Sequence, residues 1–169
     1  MSYNILIREE NTVKLLFKQR ILSWFDSYDI YDEEGNTIYV VKGQLAWGHC
    51  LKIFDNCGNE QGTVQERIFR LLPHFDLYVA DQKIGSVQKR FTFFSPVYDI
   101  DFNGWQAKGS FTGWNYSIFD RHGEIIAEIR KELFHLSDTY VIDVKKDEDS
   151  LYCLMFVLAI DAEKCSQGN

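Results

Sequence analysis

The side chains of this 169-residue chain best equipped for chemistry are four histidines, four cysteines and a surplus of carboxylates, and their spacing argues against catalysis. His49, His74, His122 and His135 are scattered, with His122 beside Gly123 in a turn. No Gly-x-Ser-x-Gly elbow, phosphate-cradling Gly-rich loop, dinucleotide fingerprint or His-Glu-x-x-His pair occurs, so nucleophilic, nucleotide and zinc-hydrolase chemistry have no local signature. Asp99 and Asp101 share a strand face by two-residue alternation, as carboxylates on ordinary solvent-facing strands also do. Cys50, Cys57, Cys153 and Cys165 form no Cys-x-x-Cys pair and read as reduced thiols rather than a zinc or redox site. Asp32-Glu33-Glu34-Gly35 lacks the alternating ligands and distal Glu of a calcium loop. The expectation is no catalytic residue, no metal and no cofactor.

Binding is the remaining chemistry. The best basic clusters are Lys89-Arg90, with Lys83 nearby, and Arg130-Lys131. These four residues, Lys89, Arg90, Arg130 and Lys131, are the candidates for an anionic ligand or lipid headgroup. Neighbours on a strand point to opposite faces, so each pair puts at most one charge on the outside. At a net charge of −7 a solvated surface strand is the plainer reading. Glu66, Lys89 and Lys131 raise a sharper question, since alternation would aim them into an apolar interior where an unpaired charge is costly. A bulge that re-aims them outward is the expected solution. The alternative is a wet rim where they pair with one another and accept a small ligand or headgroup.

The elements that must position these residues come from a repeat. An apolar residue, a spacer and Ile or Leu open six units at Tyr28, Leu51, Phe75, Tyr98, Tyr116 and Tyr140, spaced 23, 24, 23, 18 and 24 residues apart. Three run into Asp-x-x-Gly at Asp32–Gly35, Asp55–Gly58 and Asp120–Gly123, and a second alternation follows each turn. Apolar alternation on both sides of a Gly-bearing tight turn marks a β-hairpin. Asp accepts amides of its own turn, and Gly takes the positive φ. A further apolar residue closes each unit: Leu45, Ile68, Phe91, Phe111 and Leu133. The segment from Phe17 repeats the one from Ile129, which makes Tyr3–Ile7 a front strand and brings the count to about twelve or thirteen strands. An apolar content of 46% with 25% charged residues excludes disorder. The acidic balance speaks against nucleic-acid binding.

Such hairpins suit a propeller, a sandwich or a barrel. After Asp147-Glu148-Asp149-Ser150, which offers N-cap chemistry, Leu151–Ile160 is apolar on every face and must be surrounded if helical. A central strand is the alternative for this segment. A helix of about 16 residues, over about 148–163, is roughly 24 Å long. A closed barrel of twelve strands has a radius near about 12 Å, which leaves room for that helix and one layer of side chains. The apolar run is about half of what a membrane helix needs. Met1-Ser2-Tyr3-Asn4-Ile5 lacks the basic-then-apolar pattern of a secretory signal, so none is expected.

The Tyr-x-Ile-x-Asp-x-x-Gly hairpins, the phrases Gly113-Trp114-Asn115-Tyr116-Ser117-Ile118 and Ser137-Asp138-Thr139-Tyr140-Val141-Ile142-Asp143-Val144, and the closing helix ending Ala159-Ile160-Asp161 resemble the LURP-one-related family of the tubby-like superfamily. That resemblance implies one domain over 1–169. It implies a mainly β, closed antiparallel barrel of about twelve strands threaded by a buried C-terminal helix. It also implies kinship with lipid-binding tubby domains and, distantly, phospholipid scramblases, although no tubby lipid motif aligns residue by residue. The functional expectation is a non-enzymatic binding or interaction module, cytoplasmic and monomeric. Its partner is an unknown protein or a lipid met by peripheral membrane contact, with no nucleic acid and no transmembrane segment. The alternative is a small-molecule carrier with a site at the barrel mouth.

Overall fold

The structure, a computed structural model, describes residues 12–18, 27–44, 46–110, 115–134 and 137–167. Twelve strands form it: β1 Val13–Lys18, β2 Tyr28–Tyr31, β3 Thr37–Gln44, β4 Cys50–Asp55, β5 Glu60–Glu66, β6 His74–Val79, β7 Gln82–Lys89, β8 Val97–Ile100, β9 Trp105–Gly109, β10 Tyr116–Phe119, β11 Ile125–Phe134 and β12 Ser137–Val144. Each pairs antiparallel with its chain neighbours, and β1 pairs with β12, so the sheet closes into an up-and-down barrel. Closure satisfies both edges and leaves no open ladder. The front strand expected at Tyr3–Ile7 lies outside the described residues.

Three hairpin turns are copies of one device. The carbonyls of Asp32, Asp55 and Asp120 accept the amides of Gly35, Gly58 and Gly123 at 3.0–3.2 Å. Each Asp side chain accepts the amide four residues on, at 2.7–2.9 Å. The three glycines take φ of 84–87°, the left-handed region open to Gly. Hydrogen bonds from the turn hold all three carboxyls below their usual range: chiefly the Asn36 side chain for Asp32, the Asn59 side chain for Asp55, and the Glu124 amide for Asp120.

A 3₁₀ turn, Asp147–Asp149, leads from β12 into α1, Ser150–Gln167. The acidic stretch therefore forms a turn of its own before the helix, with no side-chain cap on it. The helix runs four residues beyond the expected 163. Cys153 through Ile160 are each at most 2% exposed, surrounded by inward residues such as Leu15, Ile30, Ile53, Leu77, Ile100 and Ile118. The ring of Phe156 meets Tyr98 and Tyr116 edge-on at 5.7 and 5.9 Å, a favoured aromatic geometry. A Cβ on Gly62 of β5 would collide with the Met155 side chain, so the absent side chain makes room for the helix. Met155, Phe156 and Leu158 fill the lumen a carried ligand would use.

The barrel's two ends differ. The tight turns and the helix start share one end. The connections 46–49, 67–73 and 90–96, together with the helix's C-terminal turns, share the other, because antiparallel strands send alternate connections to opposite ends.

Candidate binding mouth at the loop end

Register decides where the questioned charges point. Glu66 pairs with Phe75, Lys89 with Tyr98 and Lys131 with Tyr140, and those aromatic partners are inward and at most 3% exposed. The bulges lie elsewhere, toward the turn end, at Ile30/Tyr31, Ile53/Phe54, Leu77/Tyr78 and Ile118/Phe119. The expectation that bulges turn these three residues outward is therefore corrected. Strict alternation aims them into the mouth, where the end of α1 meets them.

Partners on the helix or beside it meet them there. The Lys89 ammonium binds the Glu163 carboxylate, whose side chain is 3% exposed. Tyr98 donates its hydroxyl to the same carboxylate at 2.9 Å. Burial, and then the Glu163 charge, raise the Tyr98 phenol well above its usual range. Lys131 lies 5.8 Å over the Tyr140 ring, and Lys164 lies 5.6 Å over Tyr116, within cation–π range. Burial pushes the Lys164 ammonium down to about 8; Lys131 and Lys89 push the same way, against Glu163 and Asp161. Lys89 and Lys131 thus both act on Lys164 at the helix end, beside the buried Glu163 that Lys89 binds.

Glu66 accepts the His49 amide at 3.0 Å, and its carboxylate is 3.6 Å from His49 Nε2. That ring nitrogen also lies 2.7 Å from Ser166 Oγ. A serine–histidine–glutamate triad needs the acid on the nitrogen opposite the one facing serine. Here Glu66 approaches the nitrogen that faces Ser166, so the cluster ties the helix end to the wall. Burial lowers the His49 pKa, against the pull of Glu66.

The four candidate ligands separate into two groups. Lys89 and Lys131 both face the mouth, each near enough to Lys164 to act on its charge. Arg90 is on the outside, 3.4 Å from Asp99. Arg130 is outside on β11, bound by Asp143 and 3.1 Å from Glu132, beside an outer groove of about 720 Å³ floored by Leu16 and Val141. Sequence reasoning missed Lys164 and Glu163, although charges directly after an enclosed apolar helix must surface at a barrel mouth.

It also missed the network around Asp76. This outward-facing side chain is 0% exposed, bound by Arg67 and placed 2.7 Å from Lys83 and 3.3 Å from His74. Burial raises its pKa, but hydrogen bonds and charge from Lys83 and Arg67 outweigh that and hold it below normal. The network clamps the base of loop 67–73, where the Arg67 amide also binds the His74 carbonyl at 2.8 Å.

The loops themselves depart from expectation. Phe91, read as the apolar residue that closes its unit, lies beyond β7 and is 75% exposed. With it stand Trp47 (84%), Phe69 (94%), Leu71 (100%), Phe93 and Phe94 (both 83%).

Comparison with known proteins places this geometry among relatives. A family model described as LURP-one-related matches residues 13–161. The chain is 24% identical over 151 residues to the uncharacterised protein YxjI of Bacillus subtilis (strain 168), covering 88% of this chain and 92% of that one. The X-ray structure of an Arabidopsis thaliana protein superposes with a TM-score of 0.62 at 13% identity, covering 91% of this chain and 93% of that one, and shares the barrel fold.

Proposed function

The chain belongs to the LURP-one-related family, and from that premise we propose that its barrel is a non-enzymatic, cytoplasmic and monomeric binding module whose loop-end mouth recognises an anionic headgroup at a membrane surface. The observation that carries this reading is the convergence of Lys89, Lys131 and Lys164 around the helix end. Ammonium groups crowded together repel one another, and an incoming phosphate relieves that repulsion as a neutral ligand does not. Among the described residues no helix is long and apolar enough to cross a membrane, so the contact proposed is peripheral. The lumen filled by Met155, Phe156 and Leu158 disfavours the carrier reading.

Vesicle flotation tests the proposal. The protein is expected to float with vesicles containing phosphatidylserine or phosphatidylinositol phosphates, to stay behind with pure phosphatidylcholine, and to bind more weakly as salt rises. The pair of substitutions Lys131→Gln and Lys164→Gln is expected to weaken binding about tenfold or more, at roughly 1 kcal/mol per basic residue near an anionic surface. Absence of binding to every anionic composition, or binding indifferent to that pair, contradicts it.

A further inference from the structure

We propose that the loops 46–49, 67–73 and 90–96 form a crown that inserts aromatic side chains into the interfacial layer of an anionic bilayer, so that the barrel stands on its loop end. The inference rests on the mouth being the membrane-facing end, and it names how that end is held there.

Among the described residues, the six large apolar side chains at least 75% exposed, Trp47, Phe69, Leu71, Phe91, Phe93 and Phe94, are all on these three loops. The loops join β3 to β4, β5 to β6 and β7 to β8, so they stand side by side along one half of the rim. Exposed apolar residues scattered singly need no explanation, but a contiguous set marks an interaction surface. The crown is also built rather than slack. Phe91 and Phe93 meet edge-on at 5.3 Å, the Thr92 hydroxyl donates to the Ser95 carbonyl at 2.7 Å, and the Asp76 network anchors Arg67. Phe69 adopts φ of +64°, a region disfavoured for a bulky residue, while its ring stands 94% in solvent. The strain at Phe69 is not offset by burial of its ring.

Charge names the occupant. The three loops contain Arg67, Arg70 and Arg90 and no carboxylate. The turns and connection at the opposite end (32–36, 56–59, 80–81, 101–104, 120–124 and 145–149) carry ten carboxylates against three basic side chains. Ten of the molecule's 25 acidic side chains thus sit on the turns and connection at the end away from the crown, while the three crown loops carry none. Phe and Trp interleaved with Arg, without Asp or Glu, suit the boundary where headgroup phosphates overlie acyl chains. A second copy of this chain would bring no carboxylates on these loops to meet the arginines.

The test uses the whole chain, anionic vesicles with and without brominated acyl chains, and two sets of substitutions. The crown set is Phe93→Ser with Phe94→Ser, and separately Phe69→Gly, which relieves the strained φ. The mouth set is Lys131→Gln with Lys164→Gln. Insertion is supported if binding survives salt that screens the headgroups, if brominated chains quench a fluorescence component that Trp47→Phe removes, and if the crown set loses about tenfold or more in partitioning with no drop in melting temperature. Vesicle binding that salt abolishes, without quenching and indifferent to the crown set, overturns insertion and leaves the headgroup reading standing. Quenching and crown-set loss with no effect of the mouth set support the crown and remove the headgroup reading. A wild-type dimer that Phe93→Ser with Phe94→Ser makes monomeric, and that ignores vesicles, overturns the proposal in favour of self-association.

Discussion

Phe156→Ala is expected to lower unfolding free energy by about 3–5 kcal/mol, against a total of roughly 5–15 kcal/mol for a domain of this kind. The side chain is 0% exposed and touches the rings of two wall strands. Among the described residues no second sheet backs the barrel, so its inward side chains pack around one helix. Loss of a ring there leaves a cavity that a closed wall collapses into poorly. Urea denaturation checks it: the midpoint falls while the slope stays constant, and Phe156→Leu falls less. Phe93→Ser, on an exposed ring, leaves the midpoint in place. A loss under about 1 kcal/mol for Phe156→Ala would mean that the helix is not the plug.

The second large effect has the opposite sign. Lys164→Met is expected to stabilise the protein at pH 7. With its pKa near 8 in the fold against 10.5 in the free side chain, the penalty on the charged form would reach about 3 kcal/mol in a dry site. The head is only partly enclosed, so water reduces this to about 1–2 kcal/mol. Below pH 8 both folded and unfolded chains hold the proton, and the fold carries the whole penalty. Between pH 8 and 10.5 the unfolded chain keeps a proton that the folded chain has released, so stability at this position rises with pH. Thermal melts from pH 7 to 10 should show the advantage of Lys164→Met shrinking steadily toward zero. A variant less stable than wild type at pH 7, or a difference constant with pH, contradicts the crowded-lysine mouth.

These two residues also show what the sequence makes legible. Phe156 sits in a run with no polar face, and a helix with no polar face must be enclosed, so plug and wall could be inferred together from Leu151–Ile160 and the Asp-x-x-Gly repeat. Closure itself came from the family resemblance, because β1 meets β12 across the whole chain and no local pattern encodes that pairing. Lys164 was not legible as a partner of Lys89 and Lys131, since that contact depends on how far the helix descends. The bulge expected at Glu66, Lys89 and Lys131 failed for a related reason. Their aim looked costly only while their partners, Glu163 and the His49–Ser166 pair, were unplaced. Phe91 was misplaced because an apolar residue at the next alternation step reads as strand whether the strand continues or stops at Lys89. The freedom of the neighbouring loop from carboxylates was visible in Arg90-Phe91-Thr92-Phe93-Phe94-Ser95-Pro96, but it gained meaning only once the topology put three such loops together.

A double-mutant cycle on Lys89→Met and Glu163→Gln tests most directly whether the helix delivers its last turns into a lysine-ringed mouth. The two residues are 74 apart in sequence and meet only if the helix threads the closed barrel from the turn end to the loop end. A coupling of about 1–3 kcal/mol is expected, with each single change destabilising and the pair costing less than their sum. Additivity within about 0.5 kcal/mol would place the helix end elsewhere and contradict the account.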